Sequence, residues 1–276
     1  MNQPIRRAAF FDLDRTLIPG SSLFLLARGL YERDMFRVRD LLRFGWGQLM
    51  FQLHGERMKG IEKSRTSSLD FVTGRSRSEL IEWGRDIAEE RILPRVYEDI
   101  VRVIDGHRER GDVTYLVTAA PIELAETIAA ALGMDGAAGT VAEVDDSGYY
   151  TGRLVGEPLH GPVKAKAVAE LAAERDLDLA ECAAYSDSIN DLPLLESVGY
   201  PHAVNPEGEL RRIAMKEGWP VHELRTRRRA LLIGIPAGLG GAALFGSGVA
   251  IGAALERRRS RSLAGLRSRI ARRFRR

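Results

Sequence analysis

The sequence predicts an α/β chain: a parallel sheet covered by helices on both faces, with an inserted all-helical segment and a separate C-terminal extension. Three observations carry that reading. Short apolar runs ending in acids or a hydroxyl alternate with helix-patterned stretches, as strand–helix–strand units do. Between the first two such runs, from Leu23 to about Tyr97, large apolar residues recur every three or four positions. Near the end, Ala230 to Leu255 is a run of 26 residues without a charged side chain.

Ala8-Ala9-Phe10-Phe11 is too short for a helix and leads into Asp12-Leu13-Asp14, which reads as a buried strand feeding an acidic loop. Pro19-Gly20-Ser21-Ser22 is a turn with helix-capping residues. Leu23, Leu26 and Leu30, then Leu41, Leu42, Trp46, Leu49, Met50 and Leu53, set the helical spacing of the insert, which His54-Gly55 and Thr73-Gly74 punctuate. Val113–Val117 is the next strand, ending at Thr118, and Glu123–Leu132 is a helix stopped by Gly133. Alternation around Asp145-Asp146-Ser147-Gly148 predicts a hairpin between Val141 and Val155. Lys164–Arg175 reads as a helix, Ala183–Tyr185 as a buried strand before Ser186-Asp187, and His202–Val204 as a last short strand before Asn205-Pro206. The expected division is a core at 1–19 and 101–224, a helical cap at 20–100, and a membrane-anchoring segment at 225–276.

Charge separates the last segment from the rest. From Arg225 onward there are 14 Arg, no Lys and one acid, Glu256, a net of +13, so residues 1–224 carry −10 beneath an overall +3. The uncharged run is long enough to cross a bilayer core and is bracketed by Arg227-Arg228-Arg229 and Arg257-Arg258-Arg259. Its seven glycines would make a poor soluble helix, while the pairs Gly234/Gly238 and Gly248/Gly252 allow close helix contacts in a membrane. Beyond it, Leu263, Leu266, Ile270 and Phe274 among arginines form a basic amphipathic helix suited to a headgroup layer. The expected partner of residues 230–276 is therefore a membrane. RNA binding by the arginine tail is the competing reading, and nucleic acid is not an expected partner. The apolar run fits a single span or, broken at Pro236 and Gly240-Gly241, a re-entrant hairpin. No apolar signal core precedes the first strand, so the expected location is the cell membrane with the catalytic body in the cytoplasm. The one cysteine, Cys182, excludes an intrachain disulfide and reads as a buried structural thiol.

The chemistry-bearing residues sit where strands are expected to end. Asp12 and Asp14 follow the first strand, Thr118 the second, and Asp187 and Asp191 a later one, while Lys164 begins a helix. Such ends converge on one crevice in a parallel sheet. A carboxylate such as Asp12 attacks phosphorus in line and forms a covalent intermediate that water then breaks. Phosphate is itself anionic, so the attack calls for a hard cation held by oxygens. Mg²⁺ is the expected cofactor, with Asp12, Asp187 and the backbone carbonyl of Asp14 as the protein's share of ligands. Lys164 supplies a point charge against the transferring group. Thr118 donates to the phosphate with backbone N–H groups near Ala119, and Asp14 protonates the leaving oxygen and later activates water.

Phe11-Asp12-Leu13-Asp14-Arg15-Thr16-Leu17 resembles the first motif of the haloacid-dehalogenase-like hydrolase superfamily. Thr118 after a strand resembles the second, Gly161-Pro162-Val163-Lys164 the third, and Ser186-Asp187-Ser188-Ile189-Asn190-Asp191 the fourth. The order, the helical insert, the hairpin Gly148–Leu154 and Ala203-Val204-Asn205-Pro206 are similar to subfamily IB, the phosphoserine-phosphatase-like branch. The resemblance covers about residues 5 to 224. It implies a Rossmann-like core, a helical cap, Mg²⁺ and Asp12 as nucleophile, with Asn190 orienting the phosphate and Asp191 the metal's second shell. Phosphoserine phosphatases carry a glutamate shortly after the first motif that binds the substrate's amino group. Here Ile18-Pro19-Gly20-Ser21-Ser22 offers no acid before Glu32.

Two other classes compete. A phosphoacceptor receiver domain also groups aspartates with Thr and Lys, but lacks a long helical insert and the Asp12/Asp14 alternation. A membrane scaffold that keeps the fold without turnover would have no need to fill every catalytic position. The expected substrate is a phosphate monoester. A lipid-related one, such as a lysophosphatidate or phosphatidylglycerol phosphate, follows from the tether, with phosphoserine as the alternative. Arg37, Arg39, Arg43 and Arg65 are candidate anion contacts in the cap, or a solvated helix face.

Overall fold

A computed structural model describes residues 7–33 and 72–224, both within one compact unit of the chain that ends at Leu224. The apolar run 230–255, the basic tail after it, and Arg37, Arg39, Arg43 and Arg65 lie outside the described residues. Among the described residues no helix is long and apolar enough to cross a membrane.

Strand β1 (Ala8–Phe11) is followed by helix α1 (Ser22–Glu32). Ser21 caps α1 in extended geometry, its hydroxyl accepting the Phe24 N–H. After the break come α2 (Arg77–Ile87), a π-helical turn (Ala88–Ile92), a 3₁₀ turn (Leu93–Arg95) and α3 (Glu98–Glu109). Where α1 meets α2, a Cβ on Gly29 would lie 2.7 Å from the Ile87 side chain, so only glycine permits this approach. The expected cap–core boundary at residue 100 falls inside α3.

Next come β2 (Val113–Pro121), α4 (Ile122–Leu132), β3 (Gly136–Thr140), and the antiparallel pair β4 (Ala142–Val144) and β5 (Tyr150–Leu154). Gly133 ends α4 in the left-handed conformation, as its sequence position suggested. The remaining elements are α5 (Pro162–Glu174), β6 (Ala183–Ser186), the short α6 (Leu192–Glu196), β7 (Tyr200–Val204), α7 (Gly208–Glu217) and β8 (Val221–His222).

Among the described residues one six-stranded sheet runs β3-β2-β1-β6-β7-β8, parallel at every junction. β1 is central and wholly buried, which explains its unbroken apolar run. Ala9 and Phe11 face one core with Leu116, Ile100, Ile104, Leu124 and Ile128, and Ala8 and Phe10 face the other with Val168, Leu194 and Leu210. Cys182 is buried and unpaired on the second face. The sheet is thus the α/β core the sequence predicted.

Several elements differ from expectation. β2 continues past Thr118 to Pro121 through a register irregularity, because Thr118–Pro121 still runs beside β3. β3 and α7 were not anticipated: Gly136-Ala137-Ala138-Gly139-Thr140 shows no apolar–polar alternation, and α7 follows Asn205-Pro206, which reads as a terminus. The cap's return segment is not purely helical. Gly74 and Arg75 exchange backbone hydrogen bonds with Tyr150, and Ser76 bridges Tyr149, so this segment adds an edge to the β4–β5 hairpin.

Beneath the sheet's carboxyl end, aromatic and imidazole rings stack across three strands. Tyr185 lies 4.6 Å from Phe11 and 4.4 Å from His202, both nearly parallel to it. His107 bridges the Tyr185 hydroxyl and the Asp112 carboxylate at 2.9 Å each, and His202 Nδ1 meets His222 Nε2 at 3.1 Å. Burial, with His222 and His107 adding to it, lowers His202 to about 4, and burial lowers His107 and His222 as well. In the unfolded chain these imidazoles take up protons near pH 6.5, whereas in the fold they resist, so between those values the unfolded state binds more protons. The imidazoles' contribution to stability is therefore expected to be complete above about pH 6.5 and to be lost as pH drops toward 4, partly offset in that window by the raised Asp12 and Asp14 carboxyls, which favour the fold on acidification. Urea midpoints at pH 7.5 and 5 should show this loss, and His202→Gln should make it smaller. An equal loss in the variant would remove His202 as a cause.

Candidate active site

The last rung of β1 is the Asp12 N–H donating to the Tyr185 carbonyl at 2.9 Å. The chain then coils tightly: Leu17 and Ile18 N–H groups both return to the Leu13 carbonyl, and Arg15 takes a left-handed φ of 65°. Leu13, Leu17 and Ile18 drop into the core, fully buried, while Asp12 and Asp14 hold the polar side of the turn. Asp14 is gripped from below, its Oδ1 accepting the Ser22 N–H at 2.7 Å from the start of α1.

From the opposite side of the crevice, α5 delivers Lys164, which is buried. Pro162 starts that helix with the φ it needs, and Gly161 turns into it at φ 57°. Lys164 Nζ reaches Asp12 Oδ1 at 2.7 Å and Asp191 Oδ2 at 2.8 Å. Ser186 Oγ donates to the same Asp191 oxygen at 2.7 Å. Thr16, at the base, joins the two loops: its hydroxyl donates to Asp12 Oδ2 at 3.0 Å and accepts the Asp187 N–H at 3.1 Å. Asp187 pairs with Arg15 Nε at 3.0 Å, and Arg15 also reaches Glu207 at 2.9 Å. Thr118 is buried at the lip of β2, its Oγ1 accepting the Ala120 N–H at 3.2 Å, so the hydroxyl keeps its own proton to donate.

The electrostatics follow from burial. Asp12, Asp187 and Asp191 are all nearly inaccessible, and Lys164 is the buried cation among them. Burial pushes the Asp12 carboxyl up to about 6 against the pull of Lys164, with Asp191 and Asp14 adding to the rise. Burial raises Asp14 too, opposed by its contacts with Ser22. Burial alone would lower the Lys164 ammonium, but Asp12 and Asp191 outweigh it and hold it above its usual value. Asp12, Asp14, Asp187 and Asp191 outnumber Lys164 and Arg15, the cations that pair with them, and the excess negative charge suits a divalent cation.

The donor set agrees with that charge. Among the described residues no three His, Cys, Asp or Glu side chains close around one point. What the crevice offers is carboxylate oxygen: Asp12, whose Oδ2 accepts from Thr16, and Asp187, whose backbone N–H donates to the same Thr16 hydroxyl. That sparse set fits Mg²⁺, which keeps several waters and takes one or two carboxylates.

The fold gathers Asp12, Asp14, Thr118, Lys164, Asp187 and Asp191 at the carboxyl end of β1, β2 and β6. Ala119 and Asn190 lie on the exposed rim, where the Asn190 N–H bonds the Ser188 hydroxyl at 3.2 Å. Sequence reasoning gave no role to Thr16, Ser186 or Ser22. Thr16 and Ser186 stand inside the motif-like segments, so their place was visible though their partners were not. Arg15 also stands inside the first motif-like segment, and its side chain pairs with Asp187.

The haloacid dehalogenase-like hydrolase profile matches residues 9–196. A Mycobacterium tuberculosis protein named phosphoserine phosphatase SerB1 is 45% identical over 255 residues, covering 92% of this chain and 82% of its own. A probable phosphatase of the same species is 35% identical over 216 residues, covering 78% of this chain and 75% of its own. Among solved structures, a Bordetella pertussis protein of unknown function superimposes with a TM-score of 0.71 at 34% identity, over 80% of this chain and 99% of that one.

Proposed function

The chain belongs to the haloacid dehalogenase-like hydrolase family, and from that membership we propose that it hydrolyses a phosphate monoester through an aspartyl-phosphate on Asp12. The observation that carries this reading is the Asp12–Lys164–Asp191 bridge at 2.7 and 2.8 Å beside the Asp187 carboxylate. It supports the reading because a buried carboxylate held against a buried ammonium, with further carboxylates nearby, is the arrangement such a reaction needs.

In the proposed reaction a carboxylate oxygen of Asp12 forms a bond to phosphorus as the bond to the leaving oxygen breaks. Lys164 and the Thr118 hydroxyl hold the phosphoryl oxygens. Asp14 gives its proton to the leaving oxygen, then takes one from water as that water attacks phosphorus and releases Asp12. Bound Mg²⁺ would neutralise charge on the phosphoryl group from the Asp12, Asp14 and Asp187 side. Thr16 fixes the spacing of Asp12 and Asp187, Ser186 fixes Asp191, and Asp191 orients Lys164.

The substrate reading starts from relatives named as phosphoserine phosphatases. Ser21 and Ser22, both neutral, begin α1 beside Asp14, so this stretch supplies no acid for a substrate amino group. A monoester other than phosphoserine, carried by a lipid-related molecule, fits the uncharged run of residues 230–255 and its arginine flanks. That run would hold the enzyme at a membrane, with the catalytic unit on the cytoplasmic side. Full-length protein is expected to float with vesicles containing phosphatidylglycerol, and to release phosphate from lysophosphatidate faster than from phosphoserine or sugar phosphates. Protein that stays at the bottom of the gradient would overturn the tether. A soluble phosphate turned over far faster than any lipid would overturn the substrate class.

A further inference from the structure

We propose that the backbone N–H of Ser22 is a positioning group for the acid–base step: it holds the Asp14 carboxylate in the attitude from which a proton reaches the leaving oxygen. This rests on the assignment of Asp14 as the general acid.

Asp14 stands on a tight turn whose backbone bonds fix its Cα but not its carboxylate. The orienting contact is the Ser22 N–H, 2.7 Å from Oδ1 and eight residues further along the chain. Ser22 is the first residue of α1, where an N–H has no partner within its own helix. The donor is thus available without taking a bond from the helix, and it is aligned with the positive end of α1. Ser21 already supplies the helix cap through its hydroxyl, so the Ser22 amide is left to Asp14. Ser22 is fully buried, and its N–H is the contact with Asp14 that meets hydrogen-bond geometry. The Ser22 and Ser21 hydroxyls stand close enough to favour the carboxylate as well, so the main-chain donor fixes the direction and the hydroxyls add to its pull. With Oδ1 fixed, Oδ2 is the oxygen that serves the substrate. A carboxylate released from this hold would lose the alignment on which proton transfer depends.

The test exploits leaving groups. An alkyl phosphate such as glycerol 2-phosphate needs its leaving oxygen protonated, whereas p-nitrophenolate leaves without help. The readout is kcat/KM, which reports only as far as departure of the leaving group. Ser22→Pro deletes the donor at a position where helices accept proline, after a residue already in extended geometry. Because its ring would press on Asp14, the companion is an amide-to-ester replacement of the 21–22 peptide bond, which removes the same hydrogen without bulk. Both full-length proteins are expected to lose about 10²-fold more activity on glycerol 2-phosphate than on p-nitrophenyl phosphate. In an Asp14→Asn background the ester should add no further loss on the alkyl ester. Equal losses on both substrates, or no loss in the ester protein, would overturn the role of Ser22. If Ser22→Pro does not fold, the ester protein alone decides. Failure of the underlying reading would look different: wild-type protein itself would release no Asp12-dependent phosphate from either compound.

Discussion

Asp12→Asn is expected to lower Mg²⁺-dependent phosphate release by about four orders of magnitude or more while leaving the fold intact. The size follows from deleting a covalent nucleophile whose partners act only through it. The fold should survive because the change is nearly isosteric and Lys164 keeps Asp191 at 2.8 Å as its counter-charge. Burial already disfavours the charge on Asp12, which rises to about 6, so removing that charge should cost little stability near neutrality. The measurement is phosphate release by purified wild-type and variant protein with and without Mg²⁺, beside a urea unfolding curve. Release within about tenfold of wild type would sink Asp12 as the nucleophile.

Lys164→Met should harm both activity and stability, and the two losses should part with pH. The ammonium bridges two buried carboxylates, Asp12 and Asp191, and methionine leaves them facing each other without a cation. Removing one partner from a buried ionic group destabilises by about 3–5 kcal/mol at neutral pH. The sign with pH is set by the carboxylates. Without Lys164 the folded state raises the proton affinity of Asp12 further above that of the unfolded chain, so the fold gains stability as pH falls and loses it as pH rises. The variant's deficit should be smaller at pH 5 than at pH 7.5. Its kcat should remain down by about 10²–10³-fold at both, because protonation restores the fold but not the charge on the phosphoryl group. A deficit that grows on acidification would contradict the bridge as described.

Much of the crevice was legible because its residues are local signals. Asp12, Thr118 and Asp187 each lie at or near the carboxyl end of a short apolar strand, and Lys164 follows a Gly-Pro helix start. The bonds between them were not legible. Lys164 meets Asp12 across 152 positions and the Asp187 N–H meets Thr16 across 171, separations at which a sequence pattern carries no distance. Nothing in the motif pattern signals that Arg15 takes a left-handed backbone and pairs with Asp187. Among the strands, β1 and β6 declared themselves by burial on both faces. β3 did not, because alanine and glycine give no contrast between faces, and β8 has only two residues on which to show any.

The meeting of Gly29 with Ile87 has a consequence for how this enzyme's lineage can diversify. The last turn of the helix that leaves the core meets the end of the helix that returns to it, and Arg33 reaches Glu90 at 3.0 Å beside them. The chain between Arg33 and Val72 therefore leaves from an anchored residue, and it comes back into a segment that Gly74, Arg75 and Ser76 pin against Tyr149 and Tyr150. The entropy of closing a segment between fixed ends grows only with the logarithm of its length, about 0.6 kcal/mol per doubling. Insertions and deletions between those two points can accumulate at small thermodynamic expense while the acid–base and nucleophilic groups stay where β1 and α5 put them. Selection can in this way vary the length of that segment without moving Asp12, Asp14 or Lys164.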